Sequence, residues 1–318
     1  MTKKLLINIP EQFENKLFSL DDEGKSWMGK VIQFVENTQN FISQSPFFFP
    51  EYTKHSVEHI NNALKISIKL IPNETMNKLS ADTIAILIMA IITHDIGMFI
   101  KPEGLENLLK QTPKNGSEDK SWIAEWKKYQ TQLNHFSINE IDKYFGNPSS
   151  FTIDDGLDMM QLPNEITVGT LSPWRIRLCG EFLRRMHPRL AQEIIENGFI
   201  GNEQVDLFSN IEIDNEYRKL IGIVARSHGM NINGLDSKLK EFDEDAIEYP
   251  YEVPIYYLMA ILRLADYFDA GSDRAPHAIM AMQHFEAEIS YDEFKWNQTV
   301  NLGNDWGEKK HERVFVNV

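Results

Sequence analysis

The chain has a single cysteine, Cys179, so it cannot form an intramolecular disulfide. It is also poor in basic residues. Against 47 Asp and Glu stand only 32 Lys and Arg, leaving a net charge of -15. A surface of that sign repels phosphate polymers, so a nucleic-acid partner is disfavoured. Long apolar runs are missing as well. The longest, Ile84 to Ile92, has nine residues, well short of the roughly 18 that a membrane-spanning helix needs. The start, Met-Thr-Lys-Lys-Leu-Leu-Ile-Asn-Ile-Pro, lacks the apolar stretch of a signal peptide. Internal repeats and low-complexity tracts are likewise absent. These absences lead to the expectation of a cytoplasmic globular protein with no membrane partner, and they leave homo-oligomerisation open.

What is present is a patterned chain with 42% hydrophobic residues, enough for a substantial core. From His55 to Ile71, the residues Val57, Ile60, Leu64, Ile68 and Leu70 recur at three- and four-residue steps and predict an amphipathic helix. Ser80 to Gly97 is apolar at almost every position and predicts a helix at the centre of the core. Further helices are expected over 174–186, 188–197, 216–228 and 254–270, the first pair separated by a break or kink at Pro188. Residues 101–172 have a weaker pattern and two polar loops, and they read as an insertion. Phe285 to Val318 shows short alternating runs and predicts a β-containing tail. The expected organisation is mainly α: an N-terminal helical extension over 1–48, a helical-bundle core over 49–284, and a tail over 285–318 that reads as the opening of a further domain.

The central apolar helix ends in Thr93-His94-Asp95-Ile96-Gly97. An ionised aspartate at a helix C-terminus faces the negative end of the macrodipole, and a bound cation would offset that cost. In the helix predicted over 254–270, Asp269 falls within the apolar stripe of Leu258, Ile261, Leu262 and Ala265, and Asp266 borders it. Carboxylates there need a metal, an arginine or solvent. His55, His187 and His228 sit at helix ends or breaks, where imidazoles can reach a shared pocket. A ligand set of nitrogen and oxygen without thiolate suits manganese, iron, magnesium, nickel or zinc, and it argues against a structural zinc site.

The order His55, His94-Asp95 and Asp266 resembles the H…HD…D signature of the HD-domain metal-dependent phosphohydrolase superfamily. Three strings carry the resemblance: Tyr52-Thr-Lys-His-Ser-Val-Glu-His59, Ala90-Ile-Ile-Thr-His-Asp-Ile-Gly97 and Leu262-Arg-Leu-Ala-Asp266. It covers roughly Phe49 to Asp273. The resemblance implies an HD-type bundle in which His55, His94, Asp95 and Asp266 hold one divalent metal, with His187 and His228 as candidates for holding a second. It also implies hydrolysis of a small phosphorylated substrate, a nucleotide for instance. Met98 stands where the cyclic-dinucleotide phosphodiesterases carry a lysine, and their Gly-Tyr-Pro signature is absent, so that substrate is not favoured. Candidate catalytic residues are Asp95, Arg185, Arg263 and Asp269; Arg184, Arg226 and Arg274 are further candidates for gripping phosphate. Two alternatives remain: a regulatory module that binds metal or nucleotide without turnover, and a single-strand nuclease, which would need a basic groove.

Overall fold

The computed structural model describes residues 5–52, 56–111, 119–146, 173–201, 203–231, 253–269, 274–275, 285–299, 301–302 and 316–317. It is mainly helical, and its architecture grows from one element. Helix α5 (Ala81–Thr93) is buried along its whole length. Each Ile or Leu it removes from water contributes roughly 1.5–3 kcal/mol. The segment Ala81–Phe99 is long and apolar enough by composition to cross a membrane, yet it lies entirely inside the protein. Helices α1 (Glu11–Phe18), α2 (Asp21–Ile42) and α3 (Val57–Leu70) pack around it, followed by the short α4 (Asn73–Lys78). The N-terminal helices are built into this core: Phe13, Leu17, Val31, Phe34 and Val35 are fully buried in the same cluster as α5.

After α5 the chain tightens into a 3-10 turn, Ile96–Phe99, and continues through α6 (Pro102–Lys110), α7 (Trp122–Leu133) and α8 (Ile138–Phe145). These three helices occupy the stretch read as a weakly patterned insertion, and they join the common core. Helix α6 does so through Leu105, Leu108 and Leu109, whereas α7 and α8 rely mainly on a few large side chains, Trp122, Trp126, Tyr129 and Phe145. That explains the weak period. Residues 112–118 and 147–172 of this stretch lie outside the described residues.

Of the break or kink expected at Pro188, no break occurs. Helix α9 (Pro173–Asn197) runs through it unbroken. Helix α10 (Asn215–Arg226) follows, capped by the Asp214 carboxylate and extended by a 3-10 turn, Ser227–Gly229; then comes α11 (Ile255–Phe268). Helices α9, α10 and α11 pack on one another and against α5 and α3. Two glycines permit close approach at its centre. A Cβ on Gly97 would stand 2.8 Å from the His187 carbonyl, and one on Gly229 would stand 2.2 Å from the Pro188 ring.

The tail differs from expectation. Residues Glu288–Thr299 form helix α12, and its buried face, Ser290, Phe294 and Asn297, is mostly polar. A helical period made of polar residues is invisible to a hydrophobicity pattern. Beyond it, β1 (Asn301–Leu302) pairs antiparallel with β2 (Val316–Asn317).

Candidate metal centre

Four histidines converge from four elements: His59 in the first turn of α3, His94 just past α5, His187 in α9 and His228 in the 3-10 turn after α10. Their orientation is set by backbone. The Nδ1 atoms of His94, His187 and His228 lie 2.8, 2.7 and 2.6 Å from the carbonyls of Ile91, Arg184 and Ala225. A carbonyl only accepts, so each Nδ1 carries the hydrogen. Ile91 and Ala225 lie in last turns, where intrahelical donors run out. The Arg184 carbonyl is orphaned by Pro188, which has no N–H to give it. For His59 the Asp269 carboxylate plays the same part, accepting from Nδ1 at 2.6 Å.

All four Nε2 atoms therefore face the centre as acceptors when the rings are neutral. His59 Nε2 lies 3.1 Å from His94 Nε2, and His187 Nε2 lies 2.7 Å from His228 Nε2. Bare lone pairs at such distances repel unless a cation stands between them. Two carboxylates complete the arrangement. Asp95 Oδ2 is 3.4 Å from His59 Nε2 and 3.3 Å from His94 Nε2, whereas its Oδ1 is 3.2 Å from His187 Nε2 and 3.6 Å from His228 Nε2. Asp266 Oδ1 is 3.4 Å from His59 Nε2 and 3.6 Å from His94 Nε2. Two groups, His59/His94/Asp95 and Asp95/His187/His228, could each hold a metal ion, and Asp95 belongs to both. The donor chemistry fits a divalent cation.

The protonation equilibria tell the same story. Burial and Arg274 oppose charge on His59, but hydrogen bonds with Asp266, Asp269 and Asp95 lift it to about 9. His94 is likewise raised despite its burial, chiefly by Asp95 and Asp266. Burial would raise Asp266, but hydrogen bonds to His59 and His94 hold it well below the usual carboxylate range. His228 is pushed down to about 3 by burial and by the neighbouring His187 and His94. In metal-free protein, protons thus occupy the His59/His94 half. A raised folded-state value stabilises the fold fully below the ordinary 6.5, and that contribution is lost as pH rises through about 9. Chelator-treated protein is expected to melt at progressively lower temperature across that window. Metal-loaded protein should not, because its ligands are already deprotonated. Differential scanning fluorimetry at a series of pH values checks this.

The structure brings His94, Asp95, His187, His228 and Asp266 together, all expected from the sequence. His55 lies outside the described residues. The histidine that closes the cluster from α3 is His59, one turn later on the face carrying Ile60, Ala63, Leu64 and Ser67. A histidine placed within a buried stripe is the signal that could have singled it out. The arginine expectations change too. Arg263 donates from one nitrogen to the carbonyls of Ser227 and Met230, so it braces the turn that carries His228. Arg185 donates to Glu181 at 2.7 Å and lies over the Tyr129 ring. Arg226 is held by Asp119. Asp269 orients His59 rather than facing open space.

Beside the cluster opens a cavity of about 510 Å³. Asp95, His187, His228 and Asp266 line its inner end, and among the described residues the guanidinium groups that reach it are Arg184 and Arg274. Arg184 is gripped bidentately by buried Glu181, at 2.6 and 2.9 Å. Helix α12 supplies one wall. It is docked by Glu51, a buried carboxylate that accepts from the backbone N–H groups of Glu286 and Ala287 at 3.2 and 3.1 Å and pairs with Arg177 at 3.1 Å. Glu51 and Glu181 drew no attention in the sequence, because isolated glutamates carry no pattern. Cys179, by contrast, is buried with its thiol pushed up to about 12, and it is inert.

A family model, described as HD-CE, matches residues 49–314 and so spans most of the chain, α12 included. No curated protein and no solved structure matches it.

Proposed function

Because the chain belongs to the HD-CE family and carries an HD-type domain, we propose that it is a metal-dependent phosphohydrolase acting on a phosphoester or phosphoanhydride bond of a small phosphorylated substrate, of the nucleotide class. The observation that carries this reading is the Asp95 carboxylate, whose two oxygens face separate histidine pairs at the inner end of an open cavity. In this reading His59, His94, Asp95 and Asp266 hold one divalent ion, and Asp95, His187 and His228 hold a second. Bound there, such ions supply Lewis-acid activation of water and neutralise phosphate charge.

The chain's own residues do the rest. The carbonyls of Ile91, Arg184 and Ala225 fix the ring tautomers, and Asp269 does so for His59. Supporting partners of this kind commonly contribute about 10–100-fold to metal affinity or activity. Arg274 and Arg184 face the cavity, where a guanidinium can orient phosphate oxygens. Arg263 holds the turn beneath His228 in place.

The test is phosphate release from a panel of nucleotides and simple phosphoesters with manganese present. Release is expected from wild-type protein and not from His94→Ala, with metal content measured on both. A wild-type protein that holds metal yet releases phosphate from nothing would overturn the reading and leave a binding module.

A further inference from the structure

Arg184 and Arg185 are neighbours on α9, and the structure gives them different parts. Both reach back one helical turn to the Glu181 carboxylate. Arg184 donates from Nε to Oε2 at 2.6 Å and from Nη2 to Oε1 at 2.9 Å, and Arg185 donates from Nε to Oε1 at 2.7 Å. The Tyr52 hydroxyl donates to Oε2 at 3.4 Å. Burial would raise the Glu181 carboxyl, but its bonds and attraction to Arg184 and Arg185 hold it below the usual carboxylate range.

What remains of each arginine differs. The Arg185 guanidinium donates a second time, to Gln132 at 3.4 Å, and lies 5.3 Å from the centre of the Tyr129 ring. It does not line the cavity. Arg184 does, with a side chain 47% exposed. A guanidinium holds five N–H donors in one plane, and Glu181 takes two of those on Arg184. The other three, on Nη1 and Nη2, form the adjoining edge, which matches two oxygens of a phosphate. Among the described residues nothing else bonds to that edge.

Charge completes the division. A carboxylate paired with a single arginine is neutral and holds an anion weakly. Here two guanidinium groups share one carboxylate, so the three side chains together carry one positive charge. Arg184 is the member of the trio placed where an anion can meet it.

We propose that Glu181 is a positioning residue that aims Arg184 into the cavity as an anchor for the substrate's phosphate, and that Arg185 supplies the countercharge that keeps this anchor positive. The proposal rests on the phosphohydrolase reading above. It makes a prediction against the simple electrostatic one. Removing a negative charge from the lining of an anion-binding cavity should by itself strengthen binding, whereas removing the group that aims Arg184 should weaken it.

The test is calorimetric titration of manganese-loaded protein with inorganic phosphate, with manganese content and melting temperature measured on every variant. Glu181→Gln should weaken phosphate binding roughly threefold to tenfold, because a long side chain must then be ordered on binding. In an Arg184→Met background the same change should weaken nothing further, since no guanidinium is left to aim. Arg185→Met should weaken phosphate binding, and Arg185→Lys, which keeps the charge, should recover most of the loss. Arg184→Lys leaves Glu181 paired with Arg185 and keeps the charge but not the fork, so it reads the same contact should Glu181→Gln fail to fold, and it should lose a similar factor. Unchanged or tighter binding in Glu181→Gln, the same weakening with and without Arg184, full affinity in Arg185→Met or Arg184→Lys, or no phosphate binding by the wild type would each refute the proposal. Phosphate release from a substrate by the wild type, lost in His94→Ala, would in each of those cases leave the hydrolase reading intact.

Discussion

Asp95→Asn is expected to empty both halves of the histidine cluster together. Each carboxylate oxygen serves a different pair, with Oδ2 near His59 and His94 and Oδ1 near His187 and His228. An amide offers one weak acceptor and one donor, so it cannot face two cations at once. Elemental analysis of the purified variant should show metal near zero. His228→Ala, which touches one group, should retain metal in the other. The loss of activity in Asp95→Asn should exceed the roughly 10–100-fold that removal of a supporting partner costs. Parallel, partial metal loss in the two variants would mean that Asp95 does not join the groups.

Glu51→Ala is expected to be the most destabilising single change away from the cluster. Glu51 and Arg177 have side chains only 7% and 9% exposed. Deleting the carboxylate strands a buried guanidinium and two backbone N–H groups, those of Glu286 and Ala287, at the start of the segment leading into α12. Losing one partner of such a pair costs about 3–5 kcal/mol, which in a chain of this size lowers the melting temperature by roughly 5–10 °C. Glu51→Gln keeps an acceptor and the side-chain shape, and it should fall between wild type and alanine. Thermal melts of the three proteins decide it. Equal melting temperatures would mean that α12 is docked by other contacts.

The residues of the histidine–aspartate cluster were largely legible in the sequence, for a physical reason. A helix apolar on every side has one place to go, and a His-Asp pair at its end must emerge in the middle of the protein. Asp266 was legible because a carboxylate bordering an aliphatic stripe demands a partner. His59 was harder. It follows His55 by one turn's spacing in the sequence, and only packing shows that its ring lies buried against His94 and Asp269. The arginines near the site looked alike in sequence, but their roles depend on which carbonyl or carboxylate each meets, and such partners are far away along the chain. The cavity wall was hidden because α12 buries serine and asparagine, and α7 and α8 because they anchor mainly through a few large rings. The helix at Pro188 was misjudged because its orphaned carbonyl has a taker that no local rule supplies.

That last arrangement constrains how the protein can vary. Any residue at 188 with a backbone hydrogen would restore the ordinary helical bond to Arg184, and the ring at 187 would lose its exclusive claim on that carbonyl. The imidazole could then swivel, and its inward-facing nitrogen would no longer be guaranteed. A residue usually counted as an interruption here guards the aim of a neighbouring side chain, so proline at this position is tied to histidine before it, and the two should be exchanged only as a unit.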